Sequence, residues 1–479
     1  MRIRHQNAIL DNLEFLREAL QKMEIFTDRE TEIFSPPFDI PPESPALSNF
    51  FSAAAIGVTE IGSYSGIPIS VLDLMRNPRT RTTKTFPSLI IVARAVRHIQ
   101  VTGEPITIVT PTSANKGTAL RDAVLRAYEA GLVRPDQLTI TTLVPASSLP
   151  KLWSSPLSDE PSLHRTNPVA ALSAEQPPGQ VKEIVQELVS TRTREFQAVT
   201  GRHLWHTLSL DNYRVADALR AMTEQCLHPS SGKRVHVHSV SSAFGLLGHH
   251  FGRKLLEQRD EPNLGEPSAY LLVQHLARPD MVLHLHHGDF AYDHLPAYQV
   301  TPDGLYRQEE DPHYPQLTNH PAELLDSTFY TAQPSTSGEM DTIIASQGGA
   351  GIVVSRLECL ERYREISSLL ANAGVLMPND PEQLREWSLT MAMTGMMTAV
   401  DRGILPRCDD ILVHGSGYYT SDDYTPIPGR SLLPVEKSDD LWEIVVQAAA
   451  FSSETPSSPH EYSSEPSDAT TPELGESEL

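Results

Sequence analysis

The stretch ITIVTPTSANKGTALRDAVLRAYEAG, residues 106–131, contains the pattern that decides the fold class. Residues 106–110 are compact and mostly β-branched, which predicts a buried strand, and the residues from Thr118 onward have the apolar spacing of a helix closed by Gly131. The turn from Ser113 to Gly117 therefore lies between the carboxyl end of a strand and the start of a helix. In open α/β sheets ligands bind at such turns, where backbone N–H groups favour anions. An ordinary turn capped by Ser or Asn has the same pattern.

Two later segments have a similar arrangement. In RVHVHSVSSAFGLLGHHFGRKLL, residues 234–256, a strand to about Ser239 precedes the loop SSAFG of residues 241–245 and a helix. Hydroxyls, a glycine and the first amides of a helix can hold a phosphate, although such loops are common. In ILVHGSGYYTSDD, residues 411–423, a short strand ends in HGSG. Between about residues 51 and 450, β-branched runs alternate with longer helical patterns, which predicts an α/β fold with a mainly parallel sheet.

A lysine precedes another predicted helix. In RNPRTRTTKTFPS, residues 76–88, Lys84 comes just before the helical pattern LIIVARAVRHI of residues 89–99, and Pro87 suits the first turn of that helix. Most lysines are solvated surface charges, so Lys84 by itself indicates no function. The positive end of a helix dipole nevertheless favours the neutral form of a nearby amine, and a neutral amine is reactive.

Composition excludes several classes of protein. The chain has 479 residues, enough for two packed subdomains with extensions. A formal net charge of −23 argues against nucleic-acid binding, which depends on clustered Lys and Arg. No apolar run approaches the roughly 20 residues of a membrane span, and the N-terminal residues lack the apolar centre of a secretory signal. Three separated cysteines predict neither a disulfide framework nor a cysteine zinc site. These features predict a cytoplasmic protein without membrane partners.

Three segments are expected outside the α/β core of residues 51–450. Residues 1–50 are predicted to form an amphipathic helix, roughly residues 6–23, and an extended linker, because SPPFDIPPESP at 35–45 contains five prolines. Residues 152–180 are rich in Ser and Pro and indicate an irregular surface insertion. Residues 451–479 contain seven acids and no Lys or Arg, which predicts a disordered tail.

The order of these pieces resembles the fold-type-II pyridoxal-phosphate enzymes of the tryptophan synthase beta superfamily, and threonine synthase looks nearest. The family's NPTGSFKDR segment is similar to residues 76–86 and places the Schiff-base lysine at Lys84. The SSGNTG loop, whose Asn bonds the phenolic oxygen of the cofactor, is similar to residues 112–117. The phosphate loop PSGNFG matches residues 240–245 in length and in its FG ending, and TGHG, whose first residue faces the pyridine nitrogen, lines up with residues 414–417. The implied cofactor-binding residues are Lys84, Ser113, Asn115, Ser241, Ser242, Ala243, Phe244, Gly245, His414 and Ser416.

This resemblance implies a fold of two subdomains with open, mainly parallel sheets and one cleft between them. It also implies a homodimer, pyridoxal 5'-phosphate as the cofactor, and a small amino-acid substrate with a leaving group at the β or γ carbon. The implied reaction is elimination or replacement, and the proline-rich chain with its insertions indicates a relative specialised for secondary metabolism. Lys84 holds the cofactor through an imine, exchanges it for the amino acid, and then acts as the general base.

Departures from the family pattern leave alternatives open. Lys84 is followed by Thr-Phe where the family has Asp-Arg, and Lys116 replaces a threonine, so either lysine can carry the imine, with Lys84 favoured. Strict alignment places His414 at the pyridine nitrogen, whereas chemical type favours Ser416. The same changes are consistent with a threonine-synthase-like scaffold that has lost catalysis and binds a ligand or a partner protein.

Histidine pairs raise the alternative of a metallohydrolase. His236 and His238 alternate on a predicted strand, and the segment MVLHLHHGDF of residues 281–290 adds His284, His286, His287 and Asp289. Imidazoles at i and i+2 of a strand point to the same side, as in hydrolase metal sites. Nineteen histidines make chance pairing common, however, and no HExxH motif completes the set, so no metal is predicted.

Overall fold

The strands and helices alternate along most of the chain. The computed structural model describes residues 4–26, 33–207, 209–230, 232–259, 261, 262 and 264–454. The strands are β1 Arg4–Asn7, β2 Ala55–Tyr64, β3 Ile67–Asp73, β4 Ile106–Pro111, β5 Leu138–Pro145, β6 Val169–Leu172, β7 His203–His206, β8 Arg234–Ser239, β9 Ala269–His275, β10 Gln299–Val300, β11 Tyr306–Arg307, β12 Leu317–Thr318, β13 Gly349–Val354, β14 Asp410–Gly415 and β15 Leu432–Val435. The helices are α1 Leu13–Phe26, α2 Pro45–Phe51, α3 Thr85–Thr102, α4 Asn115–Glu129, α5 Pro156–Asp159, α6 Pro161–Thr166, α7 Gln180–Thr200, α8 Leu210–Leu227, α9 Phe244–Gln258, α10 Asp280–His287, α11 Ser337–Gln347, α12 Arg356–Ala371, α13 Ser388–Asp401 and α14 Ser438–Glu454.

Two sheets carry the architecture. The larger sheet has the strand order β1-β2-β3-β14-β8-β9-β13, antiparallel from β1 to β3 and parallel from β3 to β13. The smaller sheet has the order β15-β6-β5-β4-β7 and is parallel throughout. Strands β10 to β12 form a separate antiparallel sheet. The predicted α/β fold with open, mainly parallel sheets is confirmed.

Helix α3 is fixed between the two sheets by an apolar core that both sheets share. Ile90 of α3, Val58 of β2 and Ile108 of β4 belong to one cluster of buried side chains, which also includes Leu219 of α8. Because a buried helix surrounded by packed side chains has little freedom to shift, the start of α3 is held in a defined position. Lys84 immediately precedes that start.

The N-terminal segment belongs to the core and does not pack outside it. The helix predicted over roughly residues 6–23 begins only at Leu13, because residues 4–7 form a strand in which His5 lies opposite Gly57 of β2. Residues 35–44 of the proline-rich linker are neither helix nor strand, Phe38 and Ile40 are buried, and Pro45 already begins α2. Residues 4–7 form a strand because the edge of β2 offers backbone hydrogen bonds. The linker packs on the core because that buries Phe38 and Ile40.

The predicted insertion at 152–180 is wrong in its central part. It contains α5, α6 and β6, and Val169 of β6 lies opposite Thr142 of β5 inside the parallel sheet. Two of its prolines, Pro156 and Pro161, are the first residues of short helices, a position that tolerates proline because no N–H is needed there. Residues 451–454 of the predicted tail continue α14, and residues 455–479 lie outside the described part of the chain. None of the described helices is long and apolar enough to cross a bilayer.

Candidate active site

One cleft of about 480 Å³ lies where the carboxyl ends of β4, β8 and β14 meet. Strands of both sheets therefore supply its walls, as expected for a ligand site in an α/β fold. The cleft is also bordered by residues 328–335, which follow the small antiparallel sheet. Of the cofactor-binding residues that the resemblance implies, those that line the cleft are Lys84, Ser113, Asn115, Ser241, Ser242, Ala243, Phe244, Gly245 and Ser416.

Lys84 is the last residue before helix α3, and its side chain points into the cleft wall formed by α8. The ammonium nitrogen Nζ lies 5.5 Å from the centre of the Tyr213 ring. Burial lowers the pKa of Lys84; the charge of Asp217 opposes that shift, and the charge of Arg220 adds to it. A lowered pKa increases the fraction of neutral amine, which is the form that attacks a carbonyl carbon or takes up a proton.

The turn after β4 has a strained backbone held by a threonine hydroxyl. Ala114 has φ of +102°, a conformation that L-residues rarely adopt. Thr112 Oγ1 accepts hydrogen bonds from the N–H groups of Ala114, at 3.1 Å, and Gly117, at 2.8 Å. A Cβ atom at position 117 would lie 2.7 Å from Thr112 Cγ2, so only glycine fits there. Strain of this kind is characteristic of functional turns.

Asn115 is held in one orientation from both ends of its side-chain amide. Its Nδ2 donates to Glu386 Oε2 at 2.9 Å, and its Oδ1 accepts from the Tyr419 hydroxyl at 2.9 Å. The second N–H of Nδ2 is not needed for these bonds and can donate to a ligand in the cleft. The first residue of α4 is thus a preoriented hydrogen-bond donor.

A second amine borders the cleft. Lys116 is 8% exposed, and among the described residues its Nζ has no hydrogen-bond partner. Burial, followed by the charges of Lys182 and Lys84, lowers the pKa of Lys116 well below its usual value. A buried amine with like charges around it is favourable only when it is neutral or when an anion binds to it.

The loop after β8 leads into the N-terminus of α9. Ala243 has φ of +50°, and helix α9 begins at Phe244, so the first N–H groups of the helix belong to this loop. A Cβ atom at Gly245 would lie 2.6 Å from Arg220 Nη1. Arg220 is itself fixed, because its Nε donates to Asp217 at 2.7 Å. The hydroxyls of Ser241 and Ser242, the first N–H groups of α9 and the nearby guanidinium of Arg220 together favour binding of an anion such as a phosphate.

Ser416, and not His414, faces the cleft. His414 is fully buried behind it, where Nδ1 accepts from Arg220 Nη1 at 3.2 Å and Nε2 lies 3.0 Å from His236 Nδ1. Ser416 lines the cleft, and its Oγ lies 3.1 Å from Ser239 Oγ. Strict alignment placed His414 at the pyridine nitrogen, and the structure corrects this, because the imidazole is hydrogen-bonded to Arg220 and His236 in the interior.

The histidines proposed for a metallohydrolase do not form one site. Among the described residues, ligand atoms close enough to share a metal ion occur in the sets His236, His249, His414 and His98, Glu104, His203. Neither set includes His238 or a histidine of the 281–290 segment, which forms helix α10 and the residues after it; His284 there pairs with Asp341. His238 instead lines the cleft, and both of its ring nitrogens lack a described partner.

The sequence matches the model of one protein family over most of its length. The model of the family described as "Family of unknown function (DUF6002)" matches residues 4–449. The chain belongs to this family. No curated protein matches the sequence.

Several solved structures are similar to this DUF6002 chain in fold. Threonine synthase from Brucella melitensis, solved with pyridoxal phosphate bound, is 12% identical and has a TM-score of 0.53, over 91% of this chain and 96% of that one. Threonine synthase from yeast is 14% identical with a TM-score of 0.49, over 93% and 90%. A fungal L-serine ammonia-lyase from Rhizomucor miehei is 12% identical with a TM-score of 0.45, over 80% and 94%. The first of these likenesses shows that the DUF6002 chain has the fold of the fold-type-II pyridoxal-phosphate enzymes, as its motifs predict.

Several cleft residues carry no sequence signal. Glu386 comes from the segment before α13, and Lys182 from α7. Lys182 Nζ donates to Thr331 Oγ1 at 3.3 Å, and Thr336 Oγ1 donates to the Ser242 carbonyl at 2.8 Å, so residues 331–336 are hydrogen-bonded to both sides of the cleft. Neither segment resembles a known motif, and only the folded chain brings them to the cleft.

Proposed function

We propose that this DUF6002 protein binds pyridoxal 5'-phosphate through an imine on Lys84 and catalyses β- or γ-elimination or replacement on an amino acid. The observation that carries the proposal is the meeting in one cleft of Lys84, Asn115 and the 241–245 loop. These elements are far apart in sequence, and the fold of a pyridoxal-phosphate enzyme supports the same interpretation. Homodimer formation and a role in specialised metabolism stay predictions.

The residues of the cleft fit this cofactor. The 241–245 loop would hold the phosphate, because it combines two hydroxyls with the first N–H groups of α9. Asn115 would donate through Nδ2 to the phenolic oxygen, and Ser416 would face the pyridine nitrogen. Unpartnered polar atoms of His238 and Lys116 border the same space, as a polar and anionic ligand requires.

When bound, pyridoxal phosphate supplies an electron sink that stabilises the negative charge left on Cα after its proton departs. Lys84 would take up that proton, because burial has already lowered its pKa and keeps part of the amine neutral. Ser416 is uncharged, and in this superfamily a neutral partner for the pyridine nitrogen goes with elimination and replacement reactions.

The substrate would bind beside the turn after β4. Backbone N–H groups at the start of α4 would receive its α-carboxylate. The Lys116 amine, which lacks a partner among the described residues, would pair with an anionic group of the same substrate. We therefore assign Lys116 to substrate binding and the imine to Lys84.

Spectroscopy and peptide mapping test this proposal. Purified protein incubated with pyridoxal phosphate should turn yellow, and borohydride should remove the colour and fix the cofactor on Lys84. Lys84→Ala should abolish both signals, whereas Lys116→Ala should retain them. Lys254→Ala, on the exposed surface of α9, is the matched control.

Three results would overturn the proposal or part of it. Folded protein that stays colourless refutes cofactor binding, and borohydride labelling of Lys116 refutes the assignment of the lysines. A yellow protein whose spectrum no amino acid changes supports the alternative of a scaffold that has lost catalysis.

A further inference from the structure

A buried charge cluster outside the sequence motifs borders the cleft. Lys151 Nζ lies 2.6 Å from Asp326 Oδ1 and 3.7 Å from Glu386 Oε2. The three side chains are 11%, 0% and 1% exposed. Two carboxyl groups therefore share the one ammonium group within 4 Å, and ionisation of both would place two negative charges beside a single positive charge in the interior, which is unfavourable. One of the two carboxyl groups should hold a proton.

Asp326 has the surroundings of an ionised carboxylate. It accepts hydrogen bonds from Lys151 Nζ, from the Thr328 N–H at 2.9 Å and hydroxyl at 2.8 Å, and from the Trp387 N–H at 2.9 Å. Burial opposes its ionisation, but Lys151 and these donors outweigh burial and lower the pKa of Asp326. Three donors at Oδ1 and one at Oδ2 stabilise the ionised form of Asp326.

Glu386 has the surroundings of a protonated carboxylic acid. It accepts only from Asn115 Nδ2 and the Ser388 hydroxyl among the described residues. Burial and the charge of Asp326 raise its pKa, and the opposing effect of Lys151 is smaller. The charged or titratable groups that face it are Lys84 ahead of α3, Lys151 after β5, Asp326 before α11 and Tyr419 after β14.

The turn after β14 is shaped to admit Glu386. A Cβ atom at Gly417 would lie 2.1 Å from Glu386 Cγ, so any other residue there would displace the glutamate from the cleft. Gly417 and Glu386 both line the cleft, as does Lys84. The second glycine of HGSG thus makes room for a carboxyl group that comes from a distant part of the chain.

We propose that Glu386 is the proton donor of this cleft and protonates the leaving group of the substrate. This inference rests on the proposed function, because it assigns a second proton-transfer group to that reaction. As the bond from the β or γ carbon to the leaving group breaks, its electron pair stays with the leaving group, which takes the proton of Glu386. The new carboxylate faces Lys151, which offsets its charge. Lys84 holds the proton taken from Cα; loss of that proton to solvent leaves a neutral Lys84 amine, and uptake of a proton from solvent restores the carboxylic acid of Glu386.

Infrared spectroscopy tests the protonation state without cofactor. The difference spectrum of wild type minus Glu386→Gln at neutral pH should contain the C=O stretch of a protonated carboxylic acid. Glu382→Gln removes an exposed glutamate four residues away and should remove only a carboxylate band. Asp326→Asn should lower the pKa of Glu386 and weaken the acid band, because burial still raises that pKa but the negative charge of Asp326 no longer adds to it. Absence of an acid band from Glu386 in folded wild-type protein refutes the inference, whatever the cofactor does.

Turnover kinetics test the role. Glu386→Gln should slow elimination of a hydroxyl or alkoxyl leaving group by roughly 10²–10⁴-fold, the usual contribution of a positioned acid. Elimination of chloride from β-chloroalanine, which needs no proton, should change less than about threefold under the same mechanism. Equal losses with both substrates would refute the role as proton donor. If wild type forms no imine, the proposed function fails, and the infrared result still reports separately on Glu386.

Discussion

Substitution of Gly245 by alanine should disrupt the candidate phosphate loop through Arg220. The added Cβ would lie 2.6 Å from both terminal nitrogens of the guanidinium, much closer than side-chain atoms approach each other in folded proteins. Arg220 is the long side chain of the pair and would have to move. It is not free to do so, because Asp217 and His414 hold it by hydrogen bonds of 2.7 and 3.2 Å.

The size of the effect follows from those bonds. Arg220 and Asp217 are both 3% exposed, and a hydrogen bond to a charged group is worth about 1.5–3 kcal/mol. Overpacking in a close-packed interior costs about 1–3 kcal/mol. Alanine gains at most about 1 kcal/mol over glycine in helical propensity near the start of α9. We expect Gly245→Ala to lower the free energy of unfolding by about 1–3 kcal/mol and to weaken cofactor binding at least tenfold (about 1.4 kcal/mol).

Urea unfolding of the apoprotein and titration with pyridoxal phosphate measure the two effects. Gly338→Ala on α11 is the matched control, since a Cβ there meets no atom within 4 Å, and stability should be unchanged or slightly higher. In an Arg220→Ala background the cost of alanine at 245 should largely vanish. Unchanged stability and unchanged cofactor affinity in Gly245→Ala would show that Arg220 is not constrained and refute the reasoning.

Further predictions concern the amines and the helix packing. In the folded state the pKa of Lys116 is far below its value of 10.5 in the unfolded chain, so the unfolded state binds more protons between those two values, and stability to urea should rise with pH from about 7 towards 10. Lys116→Met should flatten that rise and stabilise the apoprotein by about 1 kcal/mol or more at neutral pH; the same slope in the variant would contradict the argument. Gly252→Ala would place a Cβ 2.4 Å from the Ala218 carbonyl, where α8 and α9 touch, and should lower the free energy of unfolding by about 1–3 kcal/mol in thermal or urea melts. If Gly252→Ala unfolds with the same free energy as wild type, α8 and α9 can move apart without loss of stability, and the prediction is wrong.

The sequence determined the local units. Residues 106–131 and 234–256 are each a strand, a polar turn and a helix in order, and the structure has each of them. These patterns depend on neighbours within a few positions, because side-chain periodicity and turn residues act locally. The same holds for Lys84 ahead of α3. The fold class follows from how often such units recur.

Only the tertiary structure decided which side chains share the cleft. Asn115 and Glu386 are hydrogen-bonded across 271 residues of sequence, and the segment that carries Glu386 has no motif. The sequence alone left His414 and Ser416 as alternatives for the same position. In the structure His414 is hydrogen-bonded to Arg220 and His236 in the interior, whereas Ser416 lines the cleft. Contacts of this kind depend on which surfaces cover each other after folding. Local sequence does not determine which surfaces come into contact, because a buried polar group forms hydrogen bonds with whatever groups the packing of distant segments places beside it.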